Sequence, residues 1–432
     1  MKRFWYIVYN VVAVPVQFVV FHLLSLFSPK IKKGIDGRRN IPEDLKQFND
    51  TRDPSRVLYL VHCASLGEYE MARPLLEGLR AKRPNLYIAL TFFSPSGYDQ
   101  VADSAPADLV TYLPFDSITP VKEFFRALRP QKLILTSYEV WPNLIWCAAD
   151  SGIEIYLTSA RLQSKSMKVY PLIRSFYRHV YSEIDHIYPI TREDERNLYQ
   201  YLRLSGANEI DTLGNTRYDR VLERARNHRT VSTLPGNHTH PVFIAGSIWP
   251  ADNRILLPAL SEVLRSHSGL QVILAPHEPS EQHLAELIHW CQQQHLPYQR
   301  LSETNAHIPE HSILLIDTIG KLAELYHQAD LAYVGGGFTG SVHNVMEPAV
   351  AKCAVMFGPD YHNSNEAEQL LSSGGGFAVK NPQMVAKILN DLLLNTTRLQ
   401  QCQEHAFRVI ERNAGATEKT LQHILNGSIQ AV

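Results

Sequence analysis

Two acids stand where a chain of this pattern can do chemistry. An apolar run of strand type, Val57–Val61, leads into His62-Cys63-Ala64-Ser65-Leu66-Gly67-Glu68, after which Met71, Leu75, Leu76 and Leu79 fall on one helical face. Ser65-Leu66-Gly67 therefore reads as a strand-to-helix turn, and such turns lie at the carboxyl ends of parallel strands, where ligands bind. Glu68, at or near the first helical position, is either a helix-end charge, worth about 0.3–1 kcal/mol, or a general base. Glu139 repeats the arrangement within Thr136-Ser137-Tyr138-Glu139-Val140-Trp141-Pro142-Asn143, opening a helical pattern through Leu144, Ile145 and Ala148. Its plainer role is a helix-start acid, with Trp141 anchoring the core.

A third stretch, Gly335-Gly336-Gly337-Phe338-Thr339-Gly340-Ser341-Val342-His343-Asn344-Val345-Met346-Glu347-Pro348, suits an anion. Glycines after a strand let backbone N–H groups approach a phosphate, and Glu347 can accept two hydrogen bonds from a ribose. Ala275-Pro276-His277-Glu278-Pro279 and Asp317-Thr318-Ile319-Gly320-Lys321 follow two other strands. Singly each is a turn; together the three make a nucleotide pocket. Arg217, in Gly214-Asn215-Thr216-Arg217-Tyr218-Asp219, can hold a phosphate or carboxylate in a bidentate fork, or can pair with Asp219 or Asp211.

The elements that must position these residues repeat one grammar, a short β-rich run and then an amphipathic helix. Strands are expected at Val57–Val61, Leu86–Thr91, Leu109–Leu113, Lys132–Thr136, Glu154–Thr158, His186–Pro189 and Glu209–Leu213, then at Val242–Ala245, Gln271–Ala275, Ser312–Ile316, Leu331–Val334, Ala354–Phe357 and Gly376–Val379. Such alternation implies α/β domains with mostly parallel sheets. Residues 224–240 are polar and turn-rich and read as a linker, and the stretch from Thr397 to about Leu425 looks helical.

At 432 residues the chain exceeds one ordinary core, so two or three domains are expected. A net charge of −1 offers no electrostatic reason for a nucleic-acid partner. The five cysteines lack metal-ligand spacing and fit a reduced compartment. No Gly-x-Gly-x-x-Gly follows the first strand and no Walker-type Gly-Lys-Ser/Thr occurs, which weakens dinucleotide and P-loop readings. Phe4 to Phe27 is nearly all apolar, about long enough to cross a bilayer. Lys30, Lys32, Lys33, Arg38 and Arg39 follow it, against Lys2 and Arg3 before it, which favours keeping the body of the protein in the cytoplasm. Spanning the bilayer and lying in its interface both remain open.

His62 to Glu68, Tyr138 to Asn143, Thr158-Ser159-Ala160-Arg161-Leu162-Gln163-Ser164, Gly214 to Asp219, Asp317 to Gly320 and His343 to Pro348 together resemble the ordered motifs of the bacterial Kdo transferases. These enzymes move 3-deoxy-D-manno-octulosonic acid (Kdo) from CMP-Kdo onto a lipid A precursor. The resemblance runs from the N-terminal anchor to about Glu366, and its specificity lies in the order and spacing of six motifs.

The resemblance implies an α/β GT-B fold, two Rossmann-like domains facing a cleft. Residues 1–30 would be a membrane anchor, 31–225 the acceptor-binding domain, 226–240 the linker, 241–395 the nucleotide-sugar domain and 396–432 a helix packing across both. It implies inverting transfer with Glu68 as base, no covalent intermediate, and no cofactor or metal; the chain contains no Asp-x-Asp. Pro276, His277, Ile319, Gly320, Lys321, Asn344, Val345, Met346 and Glu347 would hold CMP-Kdo, and Arg217 would stabilise the departing charge. Ser65, Gly67, Ser159, Arg161 and Glu139 would shape the sugar and acceptor region. The implied partners are CMP-Kdo, a lipid A precursor and the inner-membrane surface, where basic residues beside the anchor add about 1 kcal/mol each. Phe92, Phe93 and Tyr98 are either acyl-chain contacts or core.

Three departures stand out. Ser137 replaces an acid that many members carry before the Trp-Pro pair, Arg217 replaces a Lys, and Pro276-His277-Glu278-Pro279 replaces Pro-Arg-His-Pro. The last bears on nucleotide affinity, since His is mostly neutral at pH 7. Two rivals stand beside this reading: another GT-B enzyme using a UDP-sugar, and a membrane-anchored binding protein of the same fold without chemistry.

Overall fold

Strand β1 (Leu58–Cys63) is buried at every position, as befits a parallel strand covered on both faces. Leu58 and Leu60 enter one apolar cluster and Tyr59, Val61 and Cys63 another, so the two-residue period of the strand feeds two cores. The computed structural model describes residues 2–204, 208–228, 240–303 and 312–426. It contains two compact units, residues 1–220 with 414–432, and residues 221–413.

The first unit continues with β2 (Tyr87–Phe92), β3 (Leu109–Tyr112), β4 (Lys132–Thr136), β5 (Glu154–Ala160), β6 (His186–Pro189) and β7 (Glu209–Ile210). All pair in parallel, in the order β3-β2-β1-β4-β5-β6-β7. The order reverses between β1 and β4, and their carboxyl ends carry the turns that lead to Glu68 and Glu139. This switch point is where an open parallel sheet leaves a crevice for ligand.

The second unit repeats the plan with β8 (Val242–Ile248), β9 (Gln271–Pro276), β10 (Tyr298–Arg300), β11 (Ile313–Leu315), β12 (Leu331–Val334), β13 (Ala354–Phe357) and β14 (Gly376–Ala378). Its order is β10-β11-β9-β8-β12-β13-β14, all parallel, with the switch between β8 and β12. The short edge strand β10 is absent from the sequence expectation, because three residues, Tyr-Gln-Arg, show no apolar run.

Two boundaries differ from expectation. The division falls after Arg220, inside the helix Arg217–His228, and residues 229–239 of the expected linker lie outside the described residues. The single terminal helix is two: Thr396–Arg412 belongs to the second unit and Ala416–Asn426 to the first. Gly415 breaks it at φ +95°, a conformation glycine adopts without Cβ strain. Asp219 then caps the new helix, accepting from Gly415 N at 2.6 Å and from Thr417 N and Oγ1 at 2.7 Å.

Ala416–Asn426 is pinned to the first sheet by charge. Lys132 Nζ donates to Ile424 O at 2.6 Å and to Tyr156 OH at 2.8 Å, and pairs with Glu154 at 2.9 Å. His186 bridges Glu154 (2.9 Å) and Glu209 (2.7 Å), and His423 reaches Glu209 at 3.0 Å.

The N-terminal helix Arg3–Ser25 is long and apolar enough to cross a membrane. It is also docked along one side of the first unit. Trp5 Nε1 donates to Ser175 Oγ at 3.2 Å and Tyr9 OH to Asp116 at 2.7 Å, while the Asn10 and Asn143 amides exchange hydrogen bonds at 3.0 and 2.8 Å. Further along, Phe18 and Phe21 meet Phe115. A wider turn at Tyr9–Ala13 precedes Pro15, which has no N–H for the regular ladder. The opposite face, including Phe4, Ile7, Val11, Val16 and Leu23, is exposed.

Candidate active site

Glu68 occupies the third position of the helix Leu66–Lys82, and its Oε2 accepts from Ser65 N at 2.9 Å and Ser65 Oγ at 3.1 Å. The helix-end role is thus real, a carboxylate folded back on the cap. It coexists with a second property: burial, reinforced by the charge of Glu139, pushes the Glu68 carboxyl up to about 7. An acid so poised exchanges its proton near neutrality, as a general base must.

Glu139 departs from expectation. It precedes rather than opens its helix, which begins at Pro142, because proline favours the first helical turn and drives the residue before it to extended backbone. Glu139 lies instead in a turn, its Oε2 accepting from Trp141 Nε1 at 2.7 Å and facing His62 Nε2 at 3.7 Å. Burial alone would raise its carboxyl, but His62, the Trp141 bond and the nearby Lys168 outweigh it and hold it low. Their environments thus act in opposite directions, holding the Glu139 carboxyl low and raising that of Glu68.

Backbone strain surrounds the pair. Ser137 and Ser159 take left-handed φ of 62° and 49° at the ends of β4 and β5, conformations costly outside glycine. Ser137 N donates to Thr158 O at 2.8 Å, and Ser159 Oγ lies 3.3 Å from Thr216 Oγ1. Arg217 opens its helix with its N–H on Asn215 Oδ1 at 3.0 Å. Neither it nor Arg161 forms an ion pair among the described residues. The alternative pairing of Arg217 with Asp219 fails because Asp219 is spent on the cap of Ala416–Asn426. Gly67 is exposed, with Ser65 Oγ the nearest atom, at 3.9 Å, to an added Cβ.

Phe92 is fully buried and Tyr98 stacks on Tyr112 at 4.5 Å, so both are core. Phe93 alone reaches the site, stacking on Trp141 at 4.6 Å beneath the Arg38 guanidinium, 4.5 Å from its ring.

In the second unit, Trp249 follows β8 and donates from Nε1 to His343 Nε2 at 2.9 Å, which leaves the ring proton of His343 on Nδ1. Burial and His277 lower the His343 pKa. His277 stacks on His343 at 4.3 Å and meets Trp249 at 4.6 Å, forming a π-surface beside the glycine turn. The turn itself is braced more than open. Fully buried Asp252 accepts from Gly336 N (3.1 Å), Trp249 N (2.9 Å) and Tyr333 OH (2.7 Å), and Gly335 N is bonded to Gly246 O at 2.9 Å. Two of the N–H groups expected to meet an anion are therefore committed. Glycine is required here because a Cβ on Gly335 would collide with the Ser247 carbonyl.

Glu347 is in the short helix Met346–Val350 and pairs with Arg224 at 3.2 Å. Asn344 Oδ1 accepts from Met346 N at 3.1 Å. The Val345 and Met346 side chains are buried, so only their backbone is available to a ligand. Gly320 turns at φ +90°, leaving Ile319 exposed, and Lys321 lies 3.6 Å from Glu324. Pro276 ends β9, with the exposed His277 after it.

A sequence model of the family described as "3-Deoxy-D-manno-octulosonic-acid transferase (kdotransferase)" matches residues 39–220, the stretch holding Glu68, Glu139 and Arg217. Along nearly its whole length the chain is similar to the Kdo transferases. It is 26% identical to the 3-deoxy-D-manno-octulosonic acid transferase of Haemophilus influenzae over 98% of this chain and 97% of that one. It is 23% identical to the protein of the same name from Rickettsia bellii, over 98% and 99%. Among solved structures, the UDP-GlcNAc 2-epimerase of Neisseria meningitidis superposes with TM-score 0.61 at 11% identity, covering 86% of this chain and all of that one, a likeness of fold alone. The chain is a glycosyltransferase with the GT-B α/β fold.

Sequence reasoning placed Trp249 in a candidate loop, Gly246 to Pro250, without a role for it, and missed His62 and Asp252 as individual site residues. One signal was available for His62, a polar ring within an otherwise apolar strand.

Proposed function

We propose that the chain transfers Kdo from CMP-Kdo to a hydroxyl of a lipid A precursor of the lipid IVA kind, with inversion and with Glu68 as general base. The observation that carries this reading is the Glu68–Glu139 pair at the switch point of the first sheet. A base near pKa 7 beside a fixed negative charge takes a hydroxyl proton as the oxygen attacks the anomeric carbon. No covalent intermediate is needed: the C–O bond to the acceptor forms as the bond to CMP breaks, and CMP leaves with the electron pair. Glu139, Ser65, Gly67, Ser159 and Arg161 are assigned to the acceptor and sugar, and Arg217, which forms no ion pair among the described residues, to the departing phosphate, which a guanidinium fork suits.

CMP is assigned to the second unit. The ring surface of Trp249, His277 and His343 suits a pyrimidine, and Lys321 with the Gly320 turn suits a phosphate. Asn344 to Glu347 are assigned to the ribose, with Glu347 as acceptor of its hydroxyls.

The N-terminal helix is assigned to the cytoplasmic face of the inner membrane, lying in the interface with its exposed apolar side in the lipid. Support comes from Tyr9–Asp116 and Asn10–Asn143, polar contacts that a bilayer-spanning helix would have to break. Lys30, Lys32, Lys33 and Arg39 then meet anionic headgroups.

The test is transfer from CMP-Kdo, generated in situ, to a tetraacylated lipid A precursor in detergent, with wild type and Glu68→Gln side by side. Transfer that collapses in the variant supports donor, acceptor and base together. Binding of UDP in preference to CMP would bring the UDP-sugar reading forward.

A further inference from the structure

His62 is a titratable side chain left unused by the general-base reading, and it lies fully buried beside the acids. On β1 it is in register with Thr91 of β2 and Leu135 of β4. Nδ1 lies 3.0 Å from Thr91 Oγ1, and Nε2 faces Glu139 Oε2 at 3.7 Å with no hydrogen-bond partner. The charged groups facing it are Glu139 from the segment after β4 and Asp116 from the segment after β3; Glu68, from the start of its helix, and Lys168, whose Nζ donates to Tyr138 O at 3.0 Å, act on Glu139 in turn.

Proton accounting narrows what this ring can be. Thr91 has one hydroxyl proton, which goes either to Val61 O at 3.3 Å or to His62 Nδ1. In the second case the neutral ring carries its proton on Nε2. In the first, Nδ1 donates to Thr91, and Nε2 either is protonated as well or turns a bare lone pair toward an ionised carboxylate inside the protein. With Glu139 held ionised, every arrangement without that repulsion puts a proton on Nε2.

We propose that His62 is a positioning residue of the transfer reaction, its Nε2–H holding Glu139 ionised and in place so that a fixed charge stands beside Glu68. The proposal rests on the reading of Glu68 as base. With the donor removed, Glu139 competes for the proton that at neutral pH belongs to Glu68. Glu68 then loses the neighbouring charge that raises its proton affinity and becomes a weaker base.

Two substitutions separate this role from packing. In His62→Gln the amide nitrogen falls near Nε2 and keeps a donor toward Glu139; in His62→Asn the polar group falls near Nδ1 and serves Thr91 alone. In His62→Asn the acid limb of kcat/KM moves down by about one pH unit and kcat falls about tenfold, with the donor KM within about twofold of wild type. His62→Gln recovers kcat to within about threefold. A packing role would lower the melting temperature and leave the limb where it was. A folded His62→Asn with wild-type limb and kcat overturns the proposal.

A measurement on the full-length wild type in detergent needs no variant. In ¹⁵N-histidine NMR, with His62 assigned by its substitution, Nε2 is expected to be protonated at neutral pH; a bare Nε2 overturns the proposal. Should Glu68→Gln stay fully active, the base reading falls. The NMR result, which does not depend on activity, then reports on the His62–Glu139 contact separately.

Discussion

Trp141 Nε1 donates a 2.7 Å hydrogen bond to Glu139 Oε2, and the same Trp141 ring stacks on Phe93 at 4.6 Å. One side chain thus orients the acid and ties it to the aromatic loop after β2. Trp141→Phe keeps the stack and loses the bond, which is worth about 1.5–3 kcal/mol when the acceptor is charged. The expected outcome is a kcat about tenfold lower at pH 7 with a small change in melting temperature. Initial rates and a thermal melt check both.

Activity and stability respond to pH in opposite directions at Glu68. On the proposed reading of Glu68 as base, it must be ionised to act, so kcat/KM is expected to rise with pH and level off above about 7. A carboxyl raised above its ordinary 4.5 binds its proton more tightly folded than unfolded. Its contribution to stability is therefore present below about 4.5 and is lost as pH rises through about 7. Glu68→Gln removes both dependences and lowers kcat by about 10²–10⁴. The fold is kept, since Gln also closes a capping box. A pH–rate profile and urea melts across the same range provide the comparison.

Gly67 stands in a helical first turn with no atom closer than 3.9 Å to an added Cβ. Gly67→Ala should fold with equal stability or gain about 0.5–1 kcal/mol. If the acceptor passes over this position, the acceptor KM rises while the donor KM does not. Steady-state kinetics on both substrates, alongside a denaturant melt, decide it.

Glu154 answers to three partners, Lys132, His186 and Tyr156, which together outweigh the effect of burial and hold its carboxyl down at about 2. Its contribution to stability is present above about 4.5 and lost as pH falls toward 2. Glu154→Gln leaves the Lys132 ammonium, with a side chain only 4% exposed, short of its counter-charge. We expect a loss of about 1–3 kcal/mol and faster proteolytic removal of the helix Ala416–Asn426, which Lys132 binds at Ile424. Transfer measured below the melting range stays near wild type.

Asp116 sits under the N-terminal helix, accepting from Tyr9 OH, Asn143 N and Leu144 N at 2.7, 3.1 and 2.9 Å. Burial pushes its carboxyl up to about 6. Tyr9→Phe removes one of the bonds that hold the helix down and should cost about 1–3 kcal/mol. Limited proteolysis at the N-terminus should quicken in the same proportion. Chemical denaturation in detergent measures the first and mass spectrometry the second.

Much of this protein is readable from local pattern. The strand runs Lys132–Thr136, His186–Pro189, Leu331–Val334 and Ala354–Phe357 match the observed strands end to end, because a buried parallel strand is a short apolar run bounded by turn residues. Glu68 was legible as a strand-end acid for the same reason, its neighbours in sequence being its neighbours in the turn. The tertiary structure decided what no local window contains. It placed Glu139 ahead of its helix and against His62, 77 positions earlier in the chain. It seated Tyr9 on Asp116, and it turned Asp219 from a partner for Arg217 into the cap of a helix some 200 residues on. Periodicity reports which face of an element is apolar. Which polar groups meet in the interior depends on strand order and on how the chain returns, and there the need to satisfy each buried charge selects among partners far apart in sequence.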